Sequence, residues 1–172
     1  MIKTTAAYKE ALKEKGIFHH KAIIDFPDGS NDTVEDLDIY TFQISDGTSN
    51  TSSFDLGAAI AQQLTLKINN IDGRFDEHDF NGAVITVQVG LELLNGAVEW
   101  LDKGKFTAEP GEESGNSISV KAFDDMTKFD QPYSLSKLVY PATLGTIVRD
   151  ACSCCGVTLA SDTAAFDNNN FI

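Results

Sequence analysis

The chain opens on a helical pattern and changes period soon after. In "TTAAYKEALKEKG", residues 4–16, Tyr8, Ala11 and Leu12 recur at helical spacing and form a narrow apolar stripe. Thr4 or Thr5 can cap its start, and Gly16 ends it. "HHKAIIDF" predicts a first strand, and "PDG", Pro27 to Gly29, a tight reversal. "LDIYTFQIS" alternates, with Tyr40, Phe42 and Ile44 on one side and Ile39, Thr41, Gln43 and Ser45 on the other. A polar loop, residues 46–53, leads to Phe54, Leu56 and the small residues Gly57, Ala58 and Ala59. "QLTLKIN" then places Leu64, Leu66 and Ile68 on one strand face. "AVITVQVGLEL" is a strand rich in β-branched residues. Asn95-Gly96 is a strong short-hairpin signal, and its return strand runs through Trp100 towards Phe106. "PGEESGN" is a turn, and "SISVKAFDD" alternates again. Residues 20–125 therefore read as an antiparallel β-rich unit with a turn signal about every ten residues.

Past residue 132 the character changes. After Pro141, Leu144, Ile147, Val148 and Ala151 recur at i, i+3, i+4 and i+7, with Thr143 as cap and Gly156 as stop. This predicts a helix of about twelve residues. "VTLA" and a polar tail follow, and the chain ends on Phe171-Ile172 with no closing element in the pattern. The expected fold class is α+β, mainly β. A short N-terminal helix and an antiparallel, barrel-like β domain fill residues 1–132. Residues 133–172 open a second α/β domain, and the apolar end reads as the interruption of a longer protein.

The hydrophobic content, 42% of 172 residues, is enough for a core. No apolar run reaches the roughly 18 residues of a membrane span, so no membrane insertion is expected. "MIKTTAAYKEALKEKG" has no apolar stretch of the secretory kind, which implies synthesis in the cytoplasm. The formal net charge is −13 and the pI about 4.4. Such a surface repels DNA and anionic lipid, which argues against specific nucleic-acid recognition. The acids concentrate in residues 31–80, where only Lys67 and Arg74 oppose Asp32, Glu35, Asp36, Asp38, Asp46, Asp55, Asp72, Asp76, Glu77 and Asp79. They read as a solvated acidic face, or as a surface past which something anionic slides without sticking.

Candidate chemistry is sparse. "INNIDGRFDEHDF", Ile68 to Phe80, resembles a calcium loop at first sight. An EF-hand loop with Gly73 at its sixth position would need an oxygen ligand at Ile68 and a bidentate glutamate where Asp79 stands, with helices on both sides. The match fails, which leaves weak calcium binding by Asp72, Asp76 and Asp79 as the residual expectation. The plainer reading is a hairpin connection in which "NNIDG" and "RFDEHDF" each supply a turn, pinned to the core by Phe75 and Phe80. His19 and His20 are neighbours on a strand and point to opposite faces, so one ion cannot easily take both. Cys152, Cys154 and Cys155 lie at a helix end, an odd count that argues against a disulfide framework. Cys152 and Cys155 share a face, but the helix C-terminus disfavours a thiolate, and packing cysteines are the expectation. Asp124 and Asp125 are adjacent and do not converge as catalytic carboxylates do; they begin a turn or helix. Neither a catalytic residue nor a cofactor or metal site is expected, and the chain does not read as an enzyme.

One resemblance adds to this. Leu64 to Asn70, the "DGRF" of Asp72 to Phe75, Gly82 to Leu93, and "EWLDKGKFT" from Glu99 to Thr107 resemble a module of phage and prophage tail proteins. "KAFDDMTKFDQPYS", "YPATLGTIVRDACSCCGVTL" and the N-terminal "KTTAAYKEAL" are similar to the same proteins. The module resembles the N-terminal part of baseplate hub proteins, of late control protein D and of type VI secretion spike proteins. The resemblance implies a tube-like β domain in a virion tail, prophage-encoded, forming a homo-oligomer around a channel. It implies tube, distal tail, tip or lysin proteins as partners. The competing reading is a β-rich ligand-binding module for a carbohydrate or cell surface, with calcium from Asp72, Asp76 and Asp79. That reading expects exposed aromatics such as Trp100 or Tyr40 beside the acids.

Overall fold

The computed structural model describes residues 4–45, 61–133 and 136–159, with the backbone of 170 and 171. The loop expected over 46–53 and the small residues Gly57 to Ala59 lie outside this range. The chain divides into two compact units, Met1–Asp124 and Asp125–Ile172.

The first unit begins with helix α1, Ala6–Glu14, capped by Thr5, whose side chain accepts the Tyr8 N–H at 3.1 Å. Gly16 leaves the helix at φ 58°. The expected apolar stripe is thinner than its spacing suggests: Ala11 is buried, but Leu12 is half exposed. The strands follow as β1 Phe18–Asp25, β2 Asn31–Glu35, β3 Ile39–Ser45, β4 Gln63–Asn69, β5 Val84–Glu92, β6 Val98–Ala108, β7 Glu112–Ser114 and β8 Ser117–Phe123. They form one antiparallel sheet in the order β2-β1-β5-β6-β8-β4-β3, with β7 also paired to β8.

The two edge strands of this sheet are consecutive in sequence. Only the 3₁₀ turn Asp36–Asp38 separates β2 from β3. Three residues reach about 10 Å at most, so the sheet must roll until its edges approach. The rolled sheet does not close by hydrogen bonding, because among the described residues β2 and β3 share no ladder. The mainly antiparallel β class expected from the sequence is present, as an open sheet.

The roll encloses one core. Ala22 and Ile24 of β1, Val34 of β2, Leu64, Leu66 and Ile68 of β4, Ile85 and Val87 of β5, Phe106 of β6, and Ile118 and Val120 of β8 are all buried in it. Three local features depart from the alternation. A bulge between Ile39 and Thr41 shifts the register of β3 against β4, so Ile39 packs on the core with Phe42 and Ile44 while Tyr40 turns outward. The Asn95-Gly96 hairpin forms as expected, pairing β5 with β6, through a three-residue link, Leu94–Gly96, between Leu93 and Ala97, with positive φ on Gly96 alone. A two-residue type I′ turn would need positive φ on Asn95 too. Finally, the acidic stretch is not a hairpin connection. β4 and β5 are not neighbours in the sheet, so residues 70–83 cross between separated strands. Its turns are those the sequence implies, with Gly73 N–H on the Asn70 carbonyl and His78 N–H on that of Phe75. Phe75 and Phe80 are buried, as expected.

The second unit holds a 3₁₀ segment, Asp125–Phe129, and helix α2, Leu144–Cys154. Thr143 caps α2 by accepting the Thr146 N–H at 3.2 Å, and Gly156 ends it at φ 65°. Short strands β9, Ala142–Thr143, and β10, Asn170–Phe171, pair antiparallel. Phe171, read from the sequence as an unpaired end, therefore has a backbone partner.

Candidate functional site

The acids of the crossover do not converge. Asp72 accepts the Arg74 N–H at 3.4 Å, Asp79 that of Asn81 at 2.8 Å, and Asp76 the Asn70 side-chain amide at 2.7 Å. Each carboxylate holds its own turn, the ordinary use of aspartate in loops. Gly73 takes φ 70°, a conformation side chains rarely adopt, and a Cβ there would also push on an Asp76 oxygen 2.9 Å away. Among the described residues no group of three His, Cys, Asp or Glu side chains is arranged to hold a metal ion.

Arg74 is the structural centre of this region. Its guanidinium meets Asp38 at 2.9 Å and Asp32 at 3.7 Å and lies over the Phe75 ring. It thus fastens the crossover to β2 and to the 3₁₀ turn. His78 fastens it at another point, stacked on Phe26 at 4.3 Å with its Nδ1 3.6 Å from Asp28. Asp28 sits below the ordinary carboxylate range, chiefly because the Ser30 hydroxyl and N–H both bind it.

The imidazole pair has a partner that sequence spacing does not announce. His19 and His20 do face opposite sides of β1, yet one carboxylate takes both. Asp36 Oδ2 lies 2.5 Å from His19 Nδ1, while Oδ1 accepts the His20 N–H at 2.6 Å and lies 3.3 Å from His20 Nδ1. This works because Asp36 sits at the sheet edge, opposite His20 and one step past the Lys21–Glu35 pair, so its two oxygens serve the two faces. Burial alone would raise the Asp36 carboxyl, but the His20 N–H and the two imidazoles outweigh it and hold it below its ordinary value. His19 Nε2 is buried without a hydrogen bond and faces Glu92 at 3.7 Å. Lys15, 2.5 Å from Glu92, depresses that carboxyl in turn. Local spacing gives no sign of the Asp36 link, which spans 16 positions.

The aromatic residues divide. Trp100 is half-buried, with the Lys21 ammonium 4.1 Å from its ring centre, so one face is taken. Tyr40 is exposed on the bulge. In the second unit, Asp150 accepts the Tyr133 hydroxyl at 2.9 Å and the Ser136 hydroxyl at 2.5 Å. Cys152 is buried as expected, whereas Cys154 and Cys155 are partly exposed, and all three thiols are free. Burial, then the charge of Asp150, pushes the Cys154 thiol up, away from nucleophilic use. Asp124 precedes the 3₁₀ segment that Asp125 begins.

No family model matches the chain, and a search of curated proteins gives no match. Among solved structures, it is similar to a chain in the virion of a native gene transfer agent (GTA) particle. The TM-score is 0.54 at 10% sequence identity, over 81% of this chain and 50% of that one. The chain thus spans half the length of that virion protein, and the likeness is one of fold.

Proposed function

We propose that this chain is a structural component of a phage or prophage tail: a baseplate hub or tail-tip protein that joins the tail tube to the tip. The observation that carries this reading is the fold shared with a virion chain over 81% of the length. The tail-like sequence segments fall on β4, the crossover, β5 and β6, which supports it. In this reading several copies surround a channel, and tube, distal tail, tip or lysin proteins are the partners. The net charge of −13 suits a channel through which DNA or an unfolded protein passes without adhering. The chain is then neither an enzyme nor a sequence-specific nucleic-acid binder, and it does not insert in a membrane.

The test is composition and position in the particle. Purified particles from the producing strain are analysed by mass spectrometry, and an antibody against this chain locates it by electron microscopy. Label at the tail end distal to the head supports the hub. Label on the head alone keeps a virion role and removes the hub, and absence from the particle removes both.

A further inference from the structure

The rolled sheet has a seam that backbone hydrogen bonds leave open. Pairing of β1 with β2 runs only from Lys21–Glu35 to Asp25–Asn31, so Phe18, His19 and His20 have no partner strand on that side. Across this gap the Phe42 ring of β3 lies 4.9 Å from the His20 ring. No β1–β3 ladder forms among the described residues. The His20 N–H, which a ladder carbonyl would otherwise accept, goes to Asp36.

We propose that Asp36 is an electrostatic latch that holds this seam shut, and that the seam opens on acidification before the core of the sheet gives way. The Asp36 carboxylate collects the His20 N–H and both Nδ1 atoms, from the two faces of β1. The groups around it are His19 and His20 on β1, Glu35 and its partner Lys21, Glu92 at the end of β5, Lys15 after α1, and Phe42 on β3. Across Leu37, Arg74 holds Asp38 from the crossover side. A carboxylate is an acceptor only, and it satisfies these donors. Protonation gives it a proton of its own and removes the anion from between two imidazoles.

The sign follows from the depressed carboxyl. A group whose folded value is lowered stabilises the fold above its unfolded value, and that contribution is lost as pH falls through the folded value. The latch therefore holds at neutral pH and releases in acid, below about pH 4. Local opening of this kind draws on the least stable part of a fold, here a joint built from side chains.

Nuclear magnetic resonance on the full chain tests it at neutral pH with Asp36→Asn. The expected result is that exchange of the His20 amide rises by about tenfold or more and the His20–Phe42 ring contact weakens, while Leu66 and Val120 amides keep their protection. Persistence of His20 protection and of the ring contact in the variant overturns the latch. So does loss of protection at Leu66 and Val120 to the same degree, because Asp36 would then serve only global stability. Should the variant not fold, acidification of the unaltered chain gives the same comparison. His20 must lose protection at a higher pH than Leu66, and simultaneous loss overturns the proposal.

Discussion

At the scale of single residues, tight packing decides more than charge. Gly90 of β5 stands opposite Trp100 of β6, and the indole lies across the space a side chain would fill. A Cβ on Gly90 would come within 2.5 Å of Val98 Cγ1 and 2.8 Å of Trp100 Cε3. The Trp100 ring cannot retreat freely, because Lys21 covers it. Gly90→Ala should cost about 1–3 kcal/mol, the usual penalty for overpacking, measured as a lowered denaturant midpoint. An unchanged midpoint would mean that Trp100 swings away at no cost. A second residue-scale prediction concerns Tyr133, whose hydroxyl is pushed up to about 12. A hydrogen bond with Ser136 works downward, but burial, Asp150 and Tyr140 together raise it. Ultraviolet titration should show one tyrosine ionising near that value, and Asp150→Asn should lower it by removing the anion. If the variant leaves the titration untouched, Asp150 does not govern the tyrosine.

Secondary-structure elements were legible where local chemistry sets them. Thr5 and Thr143 cap the two helices, glycines end them, and Leu64, Leu66 and Ile68 fill the inner face of β4 as their alternation implies. Thr143→Ala should therefore cost about 0.5–2 kcal/mol. The measurement is amide exchange along α2, with faster exchange expected in Leu144–Cys154; equal rates would show that β9 alone sets the helix start. What local chemistry does not set was not legible. The bulge that turns Tyr40 outward depends on how β3 meets β4, and period-2 reasoning placed that side chain with Phe42. The same limit hid the imidazole site. His19 and His20 lie where the β1–β2 pairing has ended, which leaves room for a side chain from the turn beyond β2. Nothing near them in sequence announces that Asp36 fills the gap.

For the whole molecule, the β-rich class followed from pattern, but strand order did not. Nothing in the acidic stretch distinguishes a hairpin from a crossover, since both need the same turns and the same buried Phe75 and Phe80. Strand order in turn fixes where the core lies. Its members run from Ala22 to Ala122, all within the first unit. A chain ending at Asp124 should thus keep the whole cluster and fold alone. The expected result is cooperative unfolding with the protection of Leu66, Val87 and Val120 seen in the full chain. Within that piece Phe75→Ala should be severe, about 3–5 kcal/mol, because the ring is fully enclosed and touches Phe26 and Phe80. That is a large share of the roughly 5–15 kcal/mol that holds a domain of this kind together. If the shortened chain is unfolded while the full chain is not, residues beyond 124 supply stability that the buried cluster does not account for. If it folds but tolerates Phe75→Ala, the crossover is dispensable to the core and its phenylalanines answer to something outside this chain.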